Sequence, residues 1–191
     1  VGIERINVCT YQSVSGGGKE SMDELAKQTA ALLNGLEAKP EAFSRQIAFN
    51  VIPQIDVFLD NDYTKEEMKM VWETQKILGD ESIRVNATAV RVPVFYGHGE
   101  AIHIETRTPI DAQDAKALLA NAPGIVLKSE PSEFPTQVGD ASGKDEVFVG
   151  RVRNDISHPN GLNMWVVSDN VRKGAATNSI QIAEVLIRDY M

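Results

Sequence analysis

One arginine and one histidine flank a connection between two strand-like runs in the middle of the chain. Arg91 continues the apolar side of a predicted strand over residues 83–92, and His98 follows in the Pro- and Gly-containing connection. A guanidinium on an apolar strand face needs a carboxylate or phosphate partner, because it keeps its charge when buried. Imidazole titrates near neutral pH and can carry protons. The pair indicates either a ligand site or a structural ion pair, and residue types alone leave both open.

Two other polar segments carry residue types that act on ligands. Gln12 ends a predicted strand and is followed by a glycine-rich loop that includes Gly16, and a predicted helix carries Glu73 and Lys76. Glycines before a helix can hold a phosphate on main-chain N–H groups, but the full phosphate-loop pattern is missing here. Glycines that only permit a tight turn explain the loop more simply. Charges three residues apart on a helix are likewise typical of a solvated, salt-bridged face.

The composition is that of a soluble globular protein of one large domain or two small ones. Its 191 residues include 19 basic and 27 acidic side chains, for a net charge of −8. This balance argues against a nucleic-acid-binding protein. There is no apolar run long enough to span a bilayer and no leader pattern, so we expect a cytoplasmic protein without a membrane partner. The chain begins at Val1 rather than at methionine, which indicates a trimmed or excerpted sequence.

Cys9 is the single cysteine of the chain. A lone thiol could be a nucleophile, but Cys9 lies within a predicted core strand, where a cysteine usually serves as a small buried hydrophobe. We therefore favour the structural interpretation for Cys9. We predict no metal site.

The elements that must position these side chains alternate irregularly along the chain. Ser21 and Thr64 each precede a glutamate by three residues, which is the spacing of a capping box and predicts two helix starts. A final helix is predicted over residues 171–190 by its apolar periodicity. In total we expect six or seven strands and four helices, which favours an α+β fold.

Taken in order, the motifs of the chain resemble the C-terminal part of the aspartate-β-semialdehyde dehydrogenase family, and the match runs nearly end to end. The motifs that carry the resemblance are Thr10-Tyr11-Gln12 with Ser15-Gly16-Gly17-Gly18, Ile47-Ala48-Phe49-Asn50, Pro53-Gln54-Ile55-Asp56, Glu73-Thr74-Gln75-Lys76, Arg91 with His98, Phe148-Val149-Gly150-Arg151, and Trp165-Val166-Val167-Ser168-Asp169-Asn170 with Lys173-Gly174-Ala175-Ala176.

The resemblance implies an NADP-dependent oxidoreductase. Such an enzyme interconverts L-aspartate-β-semialdehyde plus phosphate and L-aspartyl-β-phosphate, in the biosynthesis of lysine, threonine and methionine. It also implies one catalytic and dimerisation domain over residues 1–191, with the α+β fold of the C-terminal domain of glyceraldehyde-3-phosphate dehydrogenase. In that fold a mixed, largely antiparallel sheet carries helices on one face, and the other face is available for a homodimer partner.

By matching position, the resemblance gives roles to five polar residues. His98 would be the general acid–base, and Gln12 would orient the thiol and the substrate. Arg91 would bind the substrate α-carboxylate in a bidentate pair, which a planar guanidinium can form. Glu73 would meet the substrate amino group, and Lys76 would support the phosphate.

The resemblance also implies which residues lie near the cofactor and which parts of the family's enzyme are absent from this chain. Gly16 and Asn170 would face the nicotinamide end of NADP. The family's nucleophilic cysteine and its N-terminal nucleotide-binding domain precede the part that corresponds to Val1, so we expect this chain alone to be inactive and to pair with its own N-terminal domain. The alternatives are another acyl-phosphate reductase, such as the N-acetylglutamyl phosphate enzyme, and a non-catalytic dimerising homologue.

Overall fold

One mixed sheet of six strands forms the centre of the molecule. A computed structural model describes all residues from Val1 to Met191. The strand order is β2-β1-β3-β6-β5-β4, in which the β1–β2 and β4–β5 pairs are parallel and the other three pairs are antiparallel. The predicted mixed, largely antiparallel sheet is confirmed. The strands are β1 (Ile3–Gln12), β2 (Arg84–Arg91), β3 (His98–Thr106), β4 (Ile125–Lys128), β5 (Val147–Asn154) and β6 (Gly161–Ser168).

Two of the four helices cover one face of this sheet. The helices are α1 (Gly18–Leu33), α2 (Lys65–Leu78), α3 (Ala112–Ala120) and α4 (Thr177–Tyr190). Helix α2 packs on β2, where Ala89 is fully buried, and α3 packs its Ala115 on Val149 of β5. The strand register aligns Ala89 with Val149 through Thr10, Glu100 and Val166. Residues directly opposite each other across strands share a face, so α2 and α3 lie on the same side, as expected.

The opposite face of the sheet carries none of the four α-helices, and only the short π-helical turn Gln137–Ala141 packs on it, at β6 and β5. The register there aligns Thr88 with Cys9 and Ala101, and both Thr88 and Ala101 are exposed. Towards β5 the face is covered by a loop, since the Trp165 indole N–H donates to the Pro135 carbonyl at 2.9 Å. No helix of the structure is long and apolar enough to cross a membrane.

The helix starts match the sequence predictions only in part. Thr64 and Glu67 form the predicted capping box at α2. The box predicted at Ser21 is wrong, because α1 already begins at Gly18 and the Ser21 hydroxyl donates to the Gly17 carbonyl instead. The glycines before α1 let the chain turn straight into the helix without a side-chain cap.

The final helix is shorter than the predicted 171–190. A π-helical turn over Arg172–Ala176 comes first, and α4 begins only at Thr177. The Arg172 guanidinium binds both carboxylate oxygens of Asp145, and the Thr177 hydroxyl donates to the same group. These contacts tie the start of α4 to the segment before β5, while none of the α4 residues is buried within this chain.

The long connection between α1 and α2 has no regular structure but is firmly attached. The Gln28 carboxamide, on α1, accepts from the main-chain N–H groups of Ile47 and Ala48 at 2.9 and 3.1 Å. Further on, Ile52 exchanges two main-chain hydrogen bonds with Arg91. The connection therefore forms a single antiparallel β-bridge with the end of β2 and passes beside that strand end.

Candidate active site

Three strand ends meet at one edge of the sheet and bring together residues that are far apart in sequence. Gln12 ends β1, Arg91 ends β2, and His98 begins β3. Because β1 and β2 are parallel, Gln12 and Arg91 are direct neighbours in the register. Because β3 runs antiparallel to β1, its first residues return to the same edge, where Tyr11 pairs with Gly99. The sheet topology alone thus places the carboxamide, the guanidinium and the imidazole together.

A cavity of about 500 Å³ opens at this edge. It is lined by Gln12, Gly16, Ile55, Asp56, Glu66, Lys69, Arg91, His98, Asn170 and Gly174. Five of the seven predicted site residues are in this lining. The other two, Glu73 and Lys76, are absent from it and have exposed side chains.

The direction of α2 explains why Glu73 and Lys76 lie elsewhere. A short turn joins α2 to β2, so the helix and strand run in opposite directions. At one end, Gln75 donates to the carbonyl of Ile83, just before β2 begins; at the other, Glu67 accepts from the main-chain N–H of Ala89. The first turn of α2, rather than its last, therefore lies beside Arg91. The structure corrects the placement of Glu73 and Lys76 at the site.

Glu66 and Lys69 occupy the position predicted for Glu73 and Lys76. They lie seven residues earlier on α2 with the same Glu-x-x-Lys spacing, and Lys69 Nζ donates to Glu66 Oε2 at 3.0 Å. This contact raises the pKa of Lys69. Sequence analysis assigned no role to Lys69. The signal that identifies it is the short helix-to-strand connection, which forces the start of α2 to the strand end that carries Arg91.

The guanidinium of Arg91 is fixed by a hydrogen bond to the main chain. Arg91 is 7% exposed, and its Nη1 donates to the Ser13 carbonyl at 2.7 Å. Burial lowers its pKa, but the nearby Glu66 opposes this shift. An arginine keeps its charge in such surroundings. The remaining N–H groups can therefore present a fixed positive fork to the cavity.

The imidazole of His98 sits between Ser13 and Gln12. The Ser13 main-chain N–H donates to His98 Nδ1 at 3.2 Å, and Gln12 Nε2 lies 3.3 Å from His98 Nε2. Burial and the positive charge of Arg91 lower the pKa of His98 to about 4, although the Gly97 main chain, Glu66 and Asp169 act in the opposite direction. The ring is therefore neutral at physiological pH.

Gly16 and Asn170 form part of the wall of the cavity. A Cβ at Gly16 would lie 2.9 Å from Arg91 Nη1 and 3.5 Å from the His98 ring. A larger residue at this position would therefore press on the Arg91 guanidinium. Asn170 Oδ1 accepts from Ser13, Ser15 and the Gly97 main chain, which leaves part of its NH₂ group free to meet a ligand amide. These residues fit the edge of a cofactor site and do not constitute a dinucleotide-binding site by themselves.

Cys9 does not belong to this site. It neighbours Thr10 on β1, and successive strand residues point to opposite faces, so Cys9 lies on the open face of the sheet, away from Gln12. It is absent from the cavity lining. No group of His, Cys, Asp and Glu side chains in the structure has the arrangement of a metal site.

Comparison with known proteins agrees with this fold. The family model described as semialdehyde dehydrogenase, dimerisation domain, matches residues 1–173. The chain is 70% identical over 190 residues to aspartate-semialdehyde dehydrogenase 2 of Vibrio cholerae, covering 100% of this chain and 56% of that protein. It is 52% identical over 191 residues to the aspartate-semialdehyde dehydrogenase of Aquifex aeolicus, again covering 56% of the relative. The chain thus spans about half the length of these curated relatives.

Solved structures give the same result. The crystal structure of aspartate semialdehyde dehydrogenase II complexed with ASA from V. cholerae superimposes with a TM-score of 0.97 at 69% identity, covering 100% of this chain and 56% of that one. The Candida albicans aspartate semialdehyde dehydrogenase with NADP has a TM-score of 0.68 at 27% identity, covering 97% of this chain and 50% of that one.

Proposed function

The chain belongs to the semialdehyde dehydrogenase dimerisation-domain family, and from that premise we propose that it is the C-terminal half of an NADP-dependent aspartate-semialdehyde dehydrogenase. The full-length enzyme would interconvert L-aspartate-β-semialdehyde plus phosphate and L-aspartyl-β-phosphate, in lysine, threonine and methionine biosynthesis. The observation that carries the proposal is the cavity at the sheet edge, where Arg91, His98 and Gln12 meet in a chain 70% identical to such an enzyme.

The charges of the cavity fit an amino acid that also carries a phosphate or reacts with one. The lining holds two cations, Lys69 and Arg91, and two carboxylates, Glu66 and Asp56. Arg91 would bind the α-carboxylate in a bidentate pair, because its guanidinium is planar and fixed by Ser13. Glu66 would bind the α-amino group, and Lys69 would neutralise the phosphate. This assignment moves the roles expected of Glu73 and Lys76 to the residues that line the cavity.

In the proposed full-length enzyme, the rest of the catalytic apparatus would lie in an N-terminal half. When bound, the nicotinamide supplies or accepts the hydride. Gly16 and Asn170 would border its ring end, and Gln12 would orient the substrate and the thiolate from the N-terminal half. We expect the 191-residue chain alone to be inactive, because its single cysteine, Cys9, does not line the cavity.

Two alternatives are less well supported. An N-acetylglutamyl phosphate reductase would act on a substrate whose amino group is acylated, so it has no use for a carboxylate such as Glu66 as a cation partner. A non-catalytic homologue would be expected to lose some of its polar cavity residues. Instead, Gln12 contacts both Glu66 and His98, and the main chain of Ser13 binds both His98 and Arg91.

The test is an NADP-linked assay of the full-length protein with aspartate semialdehyde and phosphate, alongside N-acetylglutamyl semialdehyde. We expect phosphate-dependent NADPH formation with the first aldehyde only. The 191-residue chain serves as the control and should show no turnover. Preference for the acetylated aldehyde, or turnover by the isolated chain, would contradict the proposal.

We also propose that the open face of the sheet forms a homodimer interface. A sheet covered by helices on one face gains stability from burying the other. Ala101 on the central strand β3 and Thr88 on the edge strand β2 are both exposed on this face. The partner subunit would take the place of a second helix layer.

A further inference from the structure

Two guanidinium groups on the open face of the sheet have no carboxylate partner. Arg151 and Arg153 lie on β5 and are exposed, and neither takes part in any ion pair of the structure. The Arg153 guanidinium donates only to the Arg151 carbonyl, at 2.8 Å. In a chain with a net charge of −8, these two neighbouring arginines form a local positive patch.

A β-bulge places the arginines on this face. The register with β6 shifts between Gly150 and Arg153, and Arg151 has a left-handed backbone, with a φ of 56°. Strand residues three apart normally point to opposite faces, but the inserted residue keeps both Gly150 and Arg153 on the open face. Val152 is buried in the core on the other side. The bulge therefore presents the cations on the open face and keeps the apolar side chain in the core.

A cavity of about 330 Å³ lies beside the two arginines. Phe134 and Trp165 form an aromatic wall, and the lining contains no carboxylate. An aromatic wall keeps water from one side of the cavity, which strengthens the attraction between a guanidinium and an anion. Arginines bind carboxylates in bidentate pairs through their planar fork of N–H groups. The cavity is therefore suited to an acidic side chain.

A second copy of the chain would have to supply this side chain from the same surface. In a two-fold dimer both subunits use the same face, so the occupant of the cavity must come from the open face or its border. The carboxylates along the strands of this face are already bound to cationic partners within the chain: Glu105 to Arg5, Asp155 to His103, and Glu4 to Arg84.

The loop that covers part of this face carries two carboxylates that remain available. Glu130 and Glu133 are exposed and form no ion pair within the chain. The loop is anchored directly after them, because Pro135 is fully buried and its carbonyl accepts from the Trp165 indole. Phe134, which lines the cavity, is the residue between this anchor and Glu133. The acidic segment therefore starts from a fixed position at the border of the open face.

We propose that Glu130 and Glu133 of the partner subunit bind Arg151 and Arg153 across the two-fold axis of the homodimer. The inference rests on the homodimer proposed above and is independent of the reaction. Each subunit contributes one cavity and one acidic loop, so the same contact forms on both sides of the axis. Two open faces that met without such acidic groups would bring the arginine patches together, and like charges at an interface repel each other.

Charge reversal on each side of the contact, and then on both sides, tests the inference in the full-length protein. Arg151→Glu with Arg153→Glu, and separately Glu130→Arg with Glu133→Arg, should each weaken the dimer by about 100-fold or more, because like charges then face each other. An equimolar mixture of the two variants should restore dimers with one subunit of each kind, since both contacts then join opposite charges. Native mass spectrometry identifies the mixed dimers, and sedimentation measures the dimerisation constants.

Two further variants separate this contact from changes in net charge or folding. Arg45→Glu with Lys39→Glu changes the net charge by the same amount at exposed positions of the α1–α2 connection, and should leave the dimer unchanged. Arg151→Gln with Arg153→Gln removes the attraction without adding repulsion. This neutral variant should weaken the dimer by about 10-fold, and it decides the case if the reversed variant does not fold.

The possible outcomes are distinct. Wild-type affinity in the neutral or reversed arginine variants would overturn the inference, and so would two monomeric variants that do not pair when mixed. Weakening in the arginine variants alone would show that a free anion, rather than the glutamates of the partner subunit, fills the cavity. A wild-type monomer would overturn the homodimer proposal and this contact with it, whatever reaction the enzyme performs.

Discussion

The guanidinium of Arg91 donates to the main-chain carbonyl of Ser13 at 2.7 Å, and both residues are buried. This contact fixes the side chain in the absence of a ligand. Ligand binding therefore loses little further side-chain entropy at Arg91. The two main-chain bonds between Arg91 and Ile52 add to this by holding the strand end itself. Arg91 is thus held in a fixed position without a ligand.

We predict that Arg91→Leu in the full-length enzyme raises KM for the semialdehyde by about 100-fold or more, because a buried charge-assisted pair is lost. Arg91→Lys keeps the charge but loses the fork, and its KM should fall between wild type and the leucine variant. Steady-state kinetics measures both. Unchanged KM in Arg91→Leu would exclude the carboxylate role.

The two Glu-x-x-Lys segments of α2 provide a matched comparison. Glu66→Gln and Lys69→Met should each lower kcat/KM by about 10-fold or more, because each removes one charged contact with the ligand. Glu73→Gln and Lys76→Met make the same changes at exposed positions of the same helix, and should leave kcat/KM near wild type. If kcat/KM instead falls in the Glu73 and Lys76 variants and not in the Glu66 and Lys69 variants, the sequence-based prediction would be correct.

His98 should make stability depend on pH. Its folded pKa of about 4 lies below the ordinary value of 6.5, so the unfolded chain binds more protons between these values. The contribution is fully present above pH 6.5 and is lost as pH falls towards 4. Thermal unfolding of wild type should therefore lose more stability between pH 7 and 4.5 than that of His98→Gln. His158→Gln, in a surface turn, is the control. Parallel pH curves for wild type and His98→Gln would contradict this prediction.

Gln28 should be important for the stability of the α1–α2 connection. It is 2% exposed and binds Ile47, Ala48, Glu24 and the Lys39 carbonyl. Gln28→Leu leaves several of these buried groups unpaired and should cost about 2–4 kcal/mol, seen as a lower urea midpoint. Lys27→Leu introduces the same side chain at the exposed neighbouring position and should change little. A midpoint unchanged in Gln28→Leu would show that the connection is held by other contacts.

The dimer proposal can be tested by replacing either of two exposed alanines with glutamate. Ala101→Glu places a charge at the centre of the open sheet face, whereas Ala117→Glu places it on the outer surface of α3; both alanines are exposed in the single chain. Light scattering should show wild type and Ala117→Glu as dimers and Ala101→Glu as a monomer, since burying an unpaired carboxylate is costly. A wild-type monomer at micromolar concentration, or a dimeric Ala101→Glu variant, would exclude this interface.

The sequence by itself determined the elements and most of the site. Alternating apolar residues gave the strands, the Thr64–Glu67 spacing gave the start of α2, and the order of motifs gave the family. Gln12, Arg91 and His98 could be selected because each stands where a strand meets a loop. Local hydrogen bonding and side-chain periodicity are encoded in neighbouring residues, so they can be read without a fold.

Only the tertiary structure decided which half of α2 faces the cavity. Positions seven residues apart lie almost two turns apart, on nearly the same side of a helix and about 10 Å along its axis. Periodicity therefore cannot distinguish Glu66 and Lys69 from Glu73 and Lys76; the antiparallel packing of α2 on β2 does. The main-chain contacts of Ser13 with His98 and Arg91 cannot be read from residue types either, because they exist only where three strand ends converge.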